Sequence, residues 1–349
     1  MKPLVSILIP AYNAEKWIGN TLEAAIAQSW PRKEIIVVDD GSSDRTPEVA
    51  RRYASKELAV VSVQNQGAAA ARNHALKLSQ GDYIQWLDAD DLLATDKIER
   101  QLAASGEAAG SRVLFSSQWA PFYYRPRSAR FVDTYLCQDL SPVDWLVGKL
   151  SMNLHMQTGT WLTSRELAEA AGPWDTRLLS DDDGEYFCRV LLASAGTHFV
   201  SGTGVYYRVT GGDRLSSVRS DRKKDAMLIS MKLHIQYLRS LEDSDRVKKS
   251  CLTYLQNWYG AFYPDRLDAI MELQGMAAQL GGHLKPPSLS WKFNWMHQVF
   301  GWKVAKRTHG CLSTLKESCL RHVDGLMLGL ETSKASARAV IDPLRGPAK

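Results

Sequence analysis

Three carboxylates close the run YIQWLDADDLL, Tyr83 to Leu93: Asp88, Asp90 and Asp91 follow directly on a β-rich apolar stretch. A buried carboxylate is costly unless it is paired, hydrogen-bonded or bound to a cation. A solvated acidic turn at a strand end would explain the pattern without any chemistry. The alternative is a cation site. Two or three aspartates at one turn are hard oxygen donors suited to Mn2+ or Mg2+, ions that take one or two carboxylates and leave the remaining positions to phosphates and water. Such an ion stabilises negative charge growing on a departing phosphate oxygen. A second candidate is Asp40, at the end of EIIVVDD, whose carboxylate can accept from the N–H groups of a base, with the flat ring of Tyr12 beside it. A third cluster, Asp181, Asp182 and Asp183, opens the helical run of LLSDDDGEYFCRVLL. There an acidic residue caps a helix and suits the positive end of its dipole.

The elements that must carry these residues alternate with little ambiguity over the first hundred positions. LVSILIP, EIIVVDD, LAVVSV and YIQWLD are continuous apolar runs of the kind buried on both faces of a parallel sheet. Between them, the stretch from Glu15 to Gln28 repeats apolar residues with a helical period, GSSDRTPEVARRYA places Pro47 near a first turn, and GAAAARNHALKLS reads as a third helix. Strand–helix alternation with short connections predicts an α/β fold, a mostly parallel sheet with helices on both faces. Ligands bind such sheets beyond the carboxyl ends of the strands. Pro10–Asn13, Asp39–Asp44 and Asp88–Asp91 should therefore share one rim.

Other function classes fall away. No G-x-G-x-x-G follows the first strand, where PAYNAE stands instead, and no G-x-x-x-x-G-K-[ST] occurs. The opening apolar run is short and ends at Pro10, which does not suit a signal peptide, and no window approaches the ~20 apolar residues of a membrane span. Five scattered cysteines suit a reducing compartment, so a cytoplasmic protein is expected. Charge is asymmetric: residues 1–220 carry 23 Lys/Arg against 26 Asp/Glu, and residues 221–349 carry 20 against 12. A basic region beside an acidic body predicts an anionic partner, and without a nucleic-acid fold signature a membrane face is favoured over nucleic acid.

VSILIPAYNAEKWIGNTLEAAIAQSW, EIIVVDDGSSDRT, NQGAAAARNHAL and YIQWLDADDLL, in that order, resemble family-2 glycosyltransferases of the GT-A fold, strongly over residues 3–100 and more weakly to about residue 210. The resemblance implies an inverting enzyme that takes a nucleotide-sugar, UDP-linked by expectation, and a glycan or lipid-linked glycan acceptor. It implies that Pro10, Ala11, Tyr12 and Asn13 line the nucleotide pocket with Arg72 nearby, that Asp40 contacts uracil, that Asp88 and Asp90 form the D-x-D element with Asp88 toward the ribose, and that Asp90, shared by Asp91, holds the metal. It also implies an aspartate base at the start of the later helix. Aligning Arg189 with the family's arginine assigns the base to Asp183 and the preceding acidic position to Asp182. The chain has Asp182 where relatives have Glu, and Asp181 in front, so the register can slip by one. Such a base is expected to stay ionised near neutral pH. His155, Gln157, Thr158 and Trp161, in LHMQTGTWLTSR, are expected to shape the acceptor floor, and Arg208 to sit on a loop that closes over a diphosphate. A sugar-phosphate nucleotidyltransferase would carry a glycine- and arginine-rich loop in place of PAYNAE, and a non-catalytic scaffold would have lost these carboxylates.

Domain organisation is expected as a catalytic unit over 1–215, split near 100 into nucleotide and acceptor halves, then a basic, Trp-rich helical region over 216–330 and a loose tail over 331–349. Trp291, Trp295 and Trp302 fall within about 40° on a helical wheel, with Lys292, Lys303, Lys306 and Arg307 beside them. This stretch either packs on the catalytic unit or lies on an anionic membrane through residues 285–310.

Overall fold

In the computed structural model, residues 2–104, 112–210, 220–287 and 291–334 are described, and in the last segment only part of the side chains. The four expected strands form: β1 (Val5–Ala11), β2 (Lys33–Asp39), β3 (Leu58–Ser62) and β4 (Tyr83–Trp86). Between them run α1 (Ile18–Ile26), α2 (Thr46–Arg51) and α3 (Ala68–Leu78). Helix α1 starts later than its apolar period suggests. Residues 13–15 are held in a loop instead, where Ala14 donates its N–H to Thr46 Oγ1 and Glu15 donates to Asp44.

The sheet order is β3-β2-β1-β4-β7, parallel except for the short β7 (Thr163–Ser164). The chain steps outward from β1 to β2 and β3, then returns to place β4 on the other side of β1. The order thus reverses between β1 and β4, which is where doubly wound sheets open a crevice for ligands. A second sheet, of order β5-β8-β6, is built from β5 (Leu92–Leu93), β6 (Val113–Phe122) and β8 (Gly196–Arg208). Leu92 pairs with Tyr206, so the acidic turn that links β4 to β5 is pinned against the end of β8.

Helices α4 (Lys97–Ala103), α5 (Pro142–Met152), α6 (Arg165–Ala171) and α7 (Asp182–Ala193) complete this region. After it come α8 (Asp221–Leu241), α9 (Asp245–Phe262), α10 (Leu267–Gln279) and the 44-residue α11 (Trp291–Lys334). Met231, Leu238, Tyr254, Phe262 and Leu273 share one buried core with Trp86, Trp174 and Tyr186. Helices α8 to α10 therefore pack on the α/β region through a shared core. Residues 331–334 of the expected tail continue α11, and residues 335–349 lie outside the described residues.

Candidate active site

The first two strand ends are stitched together. Asn13 takes a left-handed backbone (φ 49°), a conformation asparagine tolerates better than most residues. Its N–H donates to Ser42 Oγ and its Oδ1 accepts from the N–H of Ser43. Pro10 and Ala11 end β1, and Tyr12 is left with about half its surface exposed (54%). Asp40 is buried, and its two oxygens accept from the N–H groups of Gln66 and Gly67 at 2.9 and 2.8 Å. Gly67 (φ 95°) turns the chain there into α3, so Asp40 holds the entry to the helix that carries Arg72.

The acidic turn after β4 divides its carboxylates. Asp88 accepts from Arg72 at 2.8 Å and keeps 30% of its side chain exposed. Asp90 is half-buried, with its backbone carbonyl accepting from Arg208 Nε at 2.8 Å. Asp91 faces inward: it is 1% exposed and accepts from the backbone N–H of Arg208. Burial, reinforced by Asp90 and Asp88, pushes its carboxyl well above the usual range. One oxygen of Asp91 thus ties the acidic turn to the end of β8. The expectation for Arg208 is corrected. It is the last residue of β8, not a loop residue, and it lies buried over the rings of Trp17 and Phe122 at 4.6 and 4.5 Å. Residues 211–219 of the expected closing loop lie outside the described residues.

Arg72 joins the two acidic clusters. It is buried at 5% exposure, with one terminal nitrogen 2.8 Å from Asp88 and the other 2.6 Å from Asp182 at the start of α7. Its guanidinium lies over Trp174 (4.4 Å), which stacks on Tyr186. A charge bridging two carboxylates and covering an aromatic face is a task suited to arginine's planar fork. Asp181, at φ 57°, accepts from Ser230 Oγ of α8, with His234 3.8 Å away. Asp183 accepts from Thr158 Oγ1 at 3.2 Å and from the N–H of Gly184 at 2.9 Å. Burial pushes the Asp183 carboxyl up to about 7, and the neighbouring charges of Asp182 and Asp181 add to the shift. The expectation of a base that stays ionised at neutral pH is thereby corrected: desolvation and like charge outweigh the helix dipole. Burial also raises Asp182, opposed by Arg72.

Trp161 is corrected as well. It is 1% exposed, stacks on Phe187 (5.1 Å) and touches Trp145 (5.5 Å), so it belongs to the core and not to an acceptor floor. His155 stands at the surface beside the ring of Trp119 (5.1 Å). Two polar nodes escaped sequence reasoning. Glu185 is buried and accepts from Arg189 and Tyr237; its four-residue spacing from Arg189 is the signal that could have found it. Lys97 is wholly buried, and its amine donates to Gln85 and Gln101 at 2.6 and 2.7 Å. Those glutamines hold the carbonyls of Gly159 and Thr160, which back the turn that bears Thr158. No pattern announces such a lysine.

Among the described residues, no three His, Cys, Asp or Glu side chains converge on a closed metal cage. The donor set at the rim nevertheless fits an ion of the Mn2+ or Mg2+ type. Asp88, Asp90, Asp91, Asp182 and Asp183 outnumber Arg72, Arg208 and Lys149, and like charge adds to the burial that raises the carboxyls of Asp91 and Asp183. Ions of this kind need only one or two protein carboxylates when phosphates supply the rest.

An open, mainly parallel sheet carrying an acidic turn at its switch point, with a second acidic cluster facing it, defines the GT-A class of glycosyltransferase folds. Residues 6–147 match the model of glycosyl transferase family 2. An uncharacterized glycosyltransferase of Haemophilus influenzae is 44% identical over 103 residues, covering 29% of this chain and 41% of that protein. The Escherichia coli UDP-Glc:alpha-D-GlcNAc-diphosphoundecaprenol beta-1,3-glucosyltransferase WfaP is 42% identical over 102 residues, covering 28% of this chain and 40% of its own length. The chain thus spans about two fifths of these curated relatives. Among solved structures, TarS (residues 1–349) of S. aureus superposes with a TM-score of 0.61 at 18% identity, covering 79% of this chain and 80% of that one. The same protein has been solved with UDP-GlcNAc.

Proposed function

We propose that the protein is an inverting glycosyltransferase that moves a sugar from a nucleotide-sugar, UDP-linked by preference, to a hydroxyl of a glycan or lipid-linked glycan. The observation that carries this reading is the joining of two acidic clusters, more than ninety positions apart in sequence, by the single buried guanidinium of Arg72. WfaP, whose name records a UDP-Glc donor and a diphosphoundecaprenol acceptor, supports the donor and acceptor classes.

On this reading Tyr12 stacks on the base, while the ordered loop of Asn13, Ser42 and Ser43 keeps the pocket in shape. Asp40 acts by holding the 66–67 turn, with its remaining lone pairs turned to uracil. Asp88 orients the ribose, and Arg72 holds it in place. Asp90, with Asp88 beside it, would hold the metal, which supplies electrostatic stabilisation of the diphosphate leaving group. On the opposite side Asp183 removes the proton of the acceptor hydroxyl as the new bond forms at the anomeric carbon. Its freedom for this role follows from its partners: Asp182 is engaged by Arg72, whereas among the described residues Asp183 accepts from a hydroxyl and a backbone N–H. A carboxyl poised at about 7 matches the operating pH of a general base.

Asp183→Asn tests the assignment. Donor binding should stay within a few-fold of the parent protein while transfer falls by about 10²–10⁴. If transfer survives in Asp183→Asn and is lost in Asp182→Asn, the base is one residue earlier.

A further inference from the structure

Helix α7 begins in an unusual way. Its N-cap residue, Asp181, has a left-handed backbone (φ 57°, ψ 28°), and its side chain makes no capping hydrogen bond to the helix. An N-cap aspartate ordinarily has extended backbone angles and accepts from one of the free N–H groups of the first turn. Here the carboxylate turns to α8 instead. Its Oδ2 accepts from Ser230 Oγ, and Nδ1 of His234, one turn further along the same face of α8, lies 3.8 Å from that oxygen. Ser230 and His234 are wholly buried, and His234 Nδ1 meets the hydroxyl of the buried Tyr254, on α9, at 2.9 Å. The other oxygen, Oδ1, lies against Gly184, where a Cβ would collide with it, so the glycine of DDDG leaves the room that this fold-back needs. Burial pushes the imidazole below its usual value, against the pull of Asp181. His234 is therefore neutral at neutral pH, and the tie depends on hydrogen-bond geometry, not on an ion pair.

We propose that Asp181 is a positioning residue: held from α8 by Ser230 and bordered by the His234–Tyr254 pair, it sets the rotation of the first turn of α7 and so aims Asp182 and Asp183. Successive helical residues point about 100° apart, so a turn whose start is fixed directs both carboxylates at once. In this setting Asp182 meets Arg72 at 2.6 Å and Asp183 meets Thr158 Oγ1 at 3.2 Å, partners on two different elements. An untied Asp181 is free to return to the extended backbone of an ordinary N-cap, which would turn both carboxylates away from those partners. Helices α8 and α9 lie beyond residues 6–147, the segment that matches the family model, and through this tie they act on the site as well as closing the core. The catalytic consequence rests on the proposed function; the tie itself does not.

Two measurements on the full chain test this. The first, amide hydrogen exchange, needs neither donor nor acceptor. It compares the parent with Ser230→Ala and with Asp181→Gly, a variant that keeps a positive φ without strain. In both variants exchange should accelerate about tenfold at Glu185, whose N–H donates to the Asp181 carbonyl, and at Tyr186, while α7 beyond Cys188 keeps its protection. The second is release of UDP from UDP-glucose or UDP-GlcNAc, whichever the parent turns over faster, with water as the acceptor and normalised to the UDP that the same sample binds. Asp181→Gly should lower kcat about tenfold to a hundredfold with KM for the donor little changed. Asp181→Asn keeps an oxygen for Ser230 and tolerates the same backbone, so it should restore most of that loss. Unchanged exchange in the two folded variants would overturn the tie, and full turnover in folded Asp181→Gly would overturn the positioning role. Turnover lost in Asp181→Asn as completely as in Asp183→Asn would also overturn it, by making Asp181 the base. A parent that turns over neither donor would count against the transferase reading, while the exchange result still decides the tie.

Discussion

Arg72 donates one terminal nitrogen to Asp88 and the other to Asp182, so the acidic rim has a measurable dependence on one side chain. Removing the cation leaves carboxylates without their partner. Arg72→Met should lower unfolding stability by about 3–5 kcal/mol in urea titration at neutral pH. A loss under about 1 kcal/mol would mean that water or other groups satisfy those carboxylates without it. Asp183 makes a prediction of the opposite kind, in activity. Only its deprotonated form accepts a proton, so turnover should rise with pH through an apparent pKa near 7 and level off above it. A flat profile between pH 5.5 and 8.5 would contradict the assignment. These residues were unequally legible. D-x-D spacing shows three carboxylates at a turn, yet alternation cannot say that Asp91 faces the backbone of β8, since Arg208 lies over a hundred positions away. Trp161 misled for a related reason: it follows the polar run QTGT, but that run forms a buried turn under the sheet.

At the scale of elements, the nucleotide half could be read closely because buried parallel strands are continuous β-branched runs punctuated by loops and helices of clear period. The half after residue 100 resisted. Its strands β5 and β7 are two residues long, and the pairing of β6 with β8 is broken by an irregularity at Ser117/Gln118, so no period survives. The polar network beneath Thr158 belongs to this half. Burial pushes the Lys97 amine well below its usual value, without an acidic partner to oppose the shift. Between that depressed value and 10.5 the unfolded chain binds more protons than the folded one, so this lysine makes stability rise with pH across the interval. Lys97→Met should flatten that rise, with its largest stabilising difference from the parent at the acidic end. Unfolding free energies measured from pH 6 to 9 provide the check, and identical slopes in the two proteins would count against a neutral buried amine.

For the whole molecule, the basic C-terminal third is partly core and partly surface. Helices α8 to α10 close the main core and reach the start of α7 through Ser230, whereas α11 is held by the contacts of Asp324, Glu331 and Arg321. Composition announced the charge of this region but not the division, because amphipathic helices of either fate share the same period. Asp324→Ala removes the acceptor for two backbone N–H groups and an arginine. Hydrogen exchange over 312–334 should then accelerate severalfold while β1 to β4 keep their protection; unchanged exchange in α11 would show that other contacts hold it. The central claim is that the acidic rim binds a nucleotide diphosphate with the help of a divalent ion. Calorimetric titration of UDP into the full chain, with Mn2+ and then with EDTA, addresses it most directly, with Asp90→Ala measured in parallel. The account predicts binding with Mn2+, lost on chelation and lost in Asp90→Ala. Affinity for UDP that is the same with EDTA, or the same in Asp90→Ala, would contradict it.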